Sequence, residues 1–323
     1  MASQAVAVAP GRKRSSEAGD NIARFAALFF ATLLLAIAVL LVDQLFSRSG
    51  AAREKFGFAF LTGTAWNPVT EEFGALPFVY GTVVTSLIAM LISVPMGLGA
   101  AIFLSELAPP KISNALTFVI ELLAAIPSVI YGLLAIFTLV PLMSRYIEPF
   151  LKHSVGQVPI IGDLFSGPAY GYGYLTAGLV LAIMTIPFVI SVSRESLLAV
   201  PREQREAALA LGATRWETTW QIVVPYAKLG ILGSVFLGLA RALGETMAVT
   251  MVIGNSPAVH ASLLAPGYTI AAVIANEFNE ASPQIHQPAL IELGLILFFL
   301  TIVINGLARL MIMATTSKGS KRA

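Results

Sequence analysis

Apolar residues gather in six long runs, at about residues 22–45, 78–104, 114–143, 173–193, 229–253 and 290–312. A helix crosses the hydrocarbon of a bilayer in about 20 residues, at about 1.5 Å each, and every run reaches that length. The runs show no alternation with a period of two, so the pattern predicts membrane helices and speaks against a transmembrane barrel. The expected fold class is an all-α membrane protein with six transmembrane helices.

Composition agrees. Of the 323 residues, 57% are hydrophobic and 12% charged, against about 45–50% and about 25% in a soluble domain. Mean hydropathy is +0.81. These values exclude a soluble enzyme and a disordered chain. The chain has no cysteine, which excludes disulfides, thiolate-held zinc, iron–sulfur clusters and thiol catalysis. His153, His260 and His286 fall in separate segments between the runs, a scatter expected of surface residues and not of a metal site.

The net charge of +2 is too small to mark a nucleic-acid binder, but its distribution orients the chain. With the N-terminus in the cytoplasm, fourteen of the 20 Lys and Arg residues lie inside, five lie outside and Arg241 lies in the membrane. Positive residues concentrate in cytoplasmic loops, so both termini are expected inside. Residues 1–21 then form a cytoplasmic tail, 22–45 the first span and 46–77 a periplasmic loop. Residues 78–312 form a five-span domain with an inner loop at 194–228 and outer loops at 144–172 and 254–289, and 313–323 form a cytoplasmic tail. Residues 25–42 carry no charge, which exceeds the ~7–15 apolar residues of a signal peptide, so the first run reads as a retained span.

The inner loop, RESLLAVPREQREAALALGATRWETTWQIVVPYAK, is patterned. Pro201 can open a helix, and Gly212 can end it in a left-handed conformation. Thr214 and Glu217 have the spacing of a capping box for a second helix, which is expected to stop at Pro225. Two short amphipathic helices make a knob for a partner protein or, with Trp216 and Trp220, a surface lying on the membrane.

Glu206-Ala207-Ala208, three residues, Gly212, nine residues, then Ile222, Val224 and Pro225 resemble the EAA loop of ABC importer permeases. Val224 departs from the usual leucine. The resemblance implies a type I (MetI-like) permease bundle in which Glu206, Ala207, Ala208 and Gly212 couple to a separate ATP-hydrolysing subunit. A P-loop needs a Gly-Lys pair, and none of the seven lysines here follows a glycine. The chain is therefore expected not to be an enzyme and to carry no cofactor, with ATP and magnesium held by the partner.

Arg241 stands 12 residues from either end of its run, near the bilayer centre, where an arginine costs about 2.5–3.5 kcal/mol on insertion scales. Glu245, at i+4, is expected on the same helical face. Gly230, Gly233, Gly238 and Gly244 allow close helix approach. The pair reads either as an ion pair that locks the bundle or as an anion site. In the second reading the arginine fork binds two oxygens. The carboxylate accepts from an anion that keeps a proton, as a phosphate does up to a pKa of about 6, and repels sulfate.

RALGETMAVTMVIGN at 241–255 resembles the R-A-x-G-E-T segment of phosphate-specific permeases of the PstC and PstA type. IELGLILFFLTIVIN at 291–305, NEF at 276–278 and AAIPSVIYGL at 124–133 are similar to the same family, nearer the PstC type, over about residues 75–315. This likeness implies a bacterial inner-membrane phosphate permease with Arg241 and Glu245 on the phosphate path and Thr246 as a donor. It implies as partners a second permease (PstA type), a dimer of ATPase subunits (PstB type) and a phosphate-binding protein (PstS type). Glu121 and Glu292 read as packing or interfacial residues, and Pro95, Pro127 and Pro187 as kinks. A sulfate or molybdate permease and an ion-coupled secondary anion transporter are the alternative functions.

Overall fold

Hydrogen bonding along the backbone divides the apolar runs more finely than hydropathy does. A computed structural model describes residues 14–159 and 162–319. The first of its two units is the helix α1 (Arg14–Arg48). It is apolar all round through its middle, as a lipid-facing helix is, and side chains such as Phe25, Phe30 and Leu34 are well exposed.

The second unit begins at Ser49. It opens with α2 (Gly50–Phe56), α3 (Ala59–Thr62) and a small antiparallel hairpin of β1 (Trp66–Asn67) and β2 (Glu72–Phe73), in which Trp66 pairs with Phe73. The helices that follow are α4 (Leu76–Ile102), α5 (Pro110–Ala125), α6 (Ser128–Leu134), α7 (Val140–Leu142), α8 (Glu148–Ser154) and α9 (Tyr174–Leu198). Then come α10 (Arg202–Ala210), α11 (Arg215–Thr218), α12 (Val224–Leu243), α13 (Met247–Val252), α14 (Ile270–Glu277) and α15 (His286–Gly319). Wide π-helical turns extend α4 to Leu107, splice α6, α7 and α8 together, and join α11 to α12. Among the described residues, six continuous helices are long and apolar enough to cross a membrane: Gly19–Arg48, Leu76–Leu107, Ser128–Gln157, Tyr174–Leu198, Arg215–Leu243 and His286–Leu307.

Two apolar runs are interrupted. The run at 114–143 breaks at Ile126, whose ψ of 129° is the extended backbone that a following proline, here Pro127, enforces by steric clash. The helix that restarts at Ser128 continues past Arg145 to Gln157, well into the expected outer loop. The run at 229–253 breaks at Gly244, between α12 and α13. At Pro225 the opposite holds, and the expected stop does not occur. The Val224 amide donates to the Thr219 carbonyl, and this wider turn takes in the proline ring. One helix therefore runs from Arg215 to Leu243.

The core of this unit lies where α4, α9 and α12 meet. A Cβ on Gly178 would stand 2.5 Å from the Ile88 side chain, and one on Gly230 would stand 2.3 Å from the Ser196 hydroxyl. Glycine at these two points lets the backbones approach. Gly233 faces open space, so its expected packing role is not seen within this chain. Ser193 and Ser234 share a buried hydrogen bond of 2.7 Å between α9 and α12.

The hairpin packs over the start of α15. Trp66 Nε1 donates to Glu277 Oε2 at 2.9 Å, His286 Nε2 lies 3.0 Å from the same oxygen, and Phe73 stacks on the imidazole. His286 is thus buried, contrary to the surface position expected for it, while His153 and His260 are exposed. Glu121 is exposed on α5, and Glu292 lies 3.9 Å from Arg53.

Candidate substrate path and coupling surface

Arg241 occupies the last turn of α12 and not the middle of a continuous span. The Gly244 amide donates to Ala240 and closes that helix. Glu245 falls in the break, so the expected i+4 face does not exist. Its Oε1 accepts from the Ala248 amide at 3.2 Å and caps the amino end of α13, where a carboxylate meets free N–H groups. Among the described residues, Arg241 and Glu245 form no ion pair. The Thr246 hydroxyl donates to the Gly244 carbonyl at 3.3 Å, and its own carbonyl accepts from Thr250 at 2.7 Å.

The Arg241 guanidinium lies over the Phe188 ring, 5.9 Å from its centre, a favourable cation–π arrangement. Its Nε is buried without a hydrogen-bond partner among the described residues. Tyr131 on α6 shares a core cluster with Ala242, the residue after Arg241, and donates its hydroxyl to the Leu123 carbonyl at 2.8 Å, bridging the α5–α6 break. Gly132 brings α6 against α13, since a Cβ there would stand 3.1 Å from Ala248 Cα. The two interrupted stretches therefore pack on one another, with the guanidinium nearby. Irregular backbone at membrane depth is tolerated where it is buried in protein or lines a cavity. An arginine with an unused donor beside it offers an anion a place to bind. Phe188 carried no sequence signal, because it sits in an apolar run as any core aromatic would, and Tyr131 was legible only as part of the AAIPSVIYGL likeness.

The inner loop folds as its pattern predicts up to Pro225. α10 ends in a Schellman motif: the Ala213 amide donates to Ala208 and the Gly212 amide to Leu209, with Gly212 at φ +90°. Thr214 and Glu217 form the capping box, with Glu217 N to Thr214 Oγ1 at 3.3 Å and Thr214 N to Glu217 Oε2 at 2.8 Å. Glu206, Ala207 and Gly212 are exposed and Ala208 is partly buried. Around them Leu209, Leu211, Trp216 and Trp220 expose apolar surface, Leu211 to 89%. Four predicted residues thus share one exposed knob, whereas Arg241, Glu245 and Thr246 cluster at the helix break. Arg205, on α10, carries no sequence signal beyond its charge; it forks onto Glu106 in the turn that ends the α4 helix.

Comparison with known proteins places these features in one family. The model described as "Binding-protein-dependent transport system inner membrane component" matches residues 93–314. The phosphate transport system permease protein PstC of Xylella fastidiosa (strain Temecula1) is 48% identical over 315 residues, covering 95% of this chain and 97% of its own length. Among solved structures, the bacterial alginate ABC transporter in complex with an alginate pentasaccharide-bound periplasmic protein contains a chain similar to this one. It aligns with a TM-score of 0.57 at 17% identity, over 90% of this chain and 96% of that one. The inward-facing MetNI methionine ABC transporter aligns with a TM-score of 0.53 at 15% identity, over 74% and 95%. At those identities the structural likeness establishes the fold, that of MetI-type importer permeases.

Proposed function

The chain belongs to the binding-protein-dependent transport system inner membrane components, and from that premise we infer that it is the permease of an ATP-driven phosphate importer. It is a multi-pass inner-membrane subunit, and ATP hydrolysis belongs to a separate subunit of the system. The observation that carries the substrate assignment is the pairing of a PstC-type sequence over nearly the whole chain with the partly free guanidinium of Arg241 at a helix break.

The partners are an ATPase dimer of the PstB type, a second permease of the PstA type and a phosphate-binding protein of the PstS type. Both termini are cytoplasmic, on the charge distribution. The chain needs no cofactor of its own, and ATP with magnesium is bound by the ATPase. ATP binding closes the ATPase pair and draws the knobs around Glu206, Ala207, Ala208 and Gly212 together. The rigid helix from Arg215 carries that movement toward Arg241. Arg241 offsets part of the cost of moving an anion past apolar surroundings. Glu245 accepts from a phosphate that still bears a proton and repels sulfate, which has none, and Thr246 is a further donor once its bond to Gly244 opens.

The test is uptake of labelled phosphate against labelled sulfate by the complex reconstituted in vesicles, with and without the ATPase. Phosphate uptake that needs both ATP and the ATPase is expected. Preference for sulfate indicates the alternative cargo, and uptake without the ATPase indicates an ion-coupled transporter.

A further inference from the structure

We propose that Arg205 and Glu106 are a positioning link through which movement of α10 reaches α4 and α9. The inference rests on the reading of α10 as the element that docks on the ATPase.

One guanidinium gathers three elements. Arg205 Nε donates to Glu106 Oε2 at 3.1 Å and Nη2 to Glu106 Oε1 at 2.9 Å, the two-pronged geometry that a planar fork makes with a carboxylate. Nη2 also donates to the Leu197 carbonyl at 2.7 Å, and Nη1 donates to the Val200 carbonyl. Those carbonyls lie at and just beyond the end of α9, where helix carbonyls lose their partners. Glu106 lies in the π-helical turn that ends the α4 helix. The two side chains are 19% and 10% exposed, so solvent screens the pair less than it screens a surface pair.

The geometry matters because α10 otherwise rests chiefly on its chain neighbours, α11 and the turn that joins α11 to α12. None of its residues is buried, and the chain enters it through extended backbone at Pro201, ψ 141°. A helix held only there would pass its movement to α12 and not to α4 and α9. The fork joins it to α4 and α9, the helices at the centre of the core. Lysine replaces it only in part, since an ammonium is a point charge without a planar fork.

The test uses the complete transporter in vesicles and reads phosphate moved per ATP hydrolysed for Arg205→Gln, Arg205→Lys, Glu106→Gln and the double Gln variant. Each assembled complex is expected to hydrolyse ATP, with the ratio lowered about tenfold in either Gln variant, a coupling of ordinary size. The double variant is expected to be no worse than the single ones, because residues that act as one unit are not additive. Lysine is expected to fall between. If Arg205→Gln does not assemble, Glu106→Gln decides, since it leaves Arg205 on the α9 carbonyls. An unchanged ratio there, or losses that multiply in the double variant, overturns the link. Co-purification of the ATPase with a Glu206→Arg variant tests the underlying reading separately. If the ATPase stays bound and coupled, the docking assignment falls and the link with it. If binding is lost while Glu106→Gln keeps a normal ratio, the link alone falls.

Discussion

Glu217 and Arg241 lie near opposite ends of one uninterrupted helix. Glu217 closes the capping box in its first turn, and Arg241 sits in its last. The helix from Arg215 to Leu243 has 29 residues, about 43 Å at 1.5 Å per residue. A displacement at the proposed coupling knob would therefore be delivered to the arginine by a rigid element and not by a flexible loop. Thr214→Ala removes the side-chain cap and is expected to lower stability by about 1 kcal/mol. It should also lower phosphate moved per ATP. Thermal unfolding and coupled uptake of the same preparation check both, and a variant with unchanged stability and coupling speaks against the role of the cap.

Gly212 holds a left-handed backbone, φ +90°, and a Cβ there would meet nothing within 4 Å. Gly212→Ala is therefore expected to cost only the backbone penalty, about 1 kcal/mol. The Schellman bonds from Ala213 and Gly212 weaken, the angle between α10 and α11 loosens, and ATPase association falls. Co-purification of the ATPase measures the effect.

Gly178 and Gly233 separate packing from mere helix content. Gly178→Ala places a carbon 2.5 Å from the Ile88 side chain and is expected to destabilise by about 1–3 kcal/mol through overpacking. Gly233→Ala meets open space and is expected to gain about 0.5–1 kcal/mol from helix propensity. Unfolding of the two variants in detergent, side by side, should give opposite signs.

Glu245 caps α13 and also stands in the proposed path. Glu245→Gln keeps an acceptor for the Ala248 amide but drops the charge, so the fold is expected to hold while sulfate begins to compete with phosphate. Competition uptake measures this. Continued exclusion of sulfate by the glutamine variant contradicts the selectivity assigned to the carboxylate.

Much of this was legible along the chain. Length and hydropathy gave the number of spans, and Thr214, Glu217 and Gly212 carry local capping signals that depend only on near neighbours. Pro127 reads as a kink, but the outright end of the helix at Ile126 and the break at Gly244 were not legible, because hydropathy records composition and is blind to where the ladder of backbone bonds stops. For the same reason Glu245, four residues after Arg241, looked like a partner on the same face until the helix ended between them. Pro225 misled in the other direction, since a wider turn accommodates a proline that an ideal helix rejects. Arg205 and Glu106 are 99 residues apart, and Phe73 reaches His286 from a distant hairpin. No local pattern reports such contacts.

The most direct test of the central claim is ATP-dependent uptake of labelled phosphate by the reconstituted complex, wild type against Arg241→Ala, with ATP hydrolysis followed in parallel. The account predicts that uptake collapses while the assembled complex still hydrolyses ATP. Uptake at the wild-type rate in the alanine variant would contradict it and leave Arg241 a structural residue.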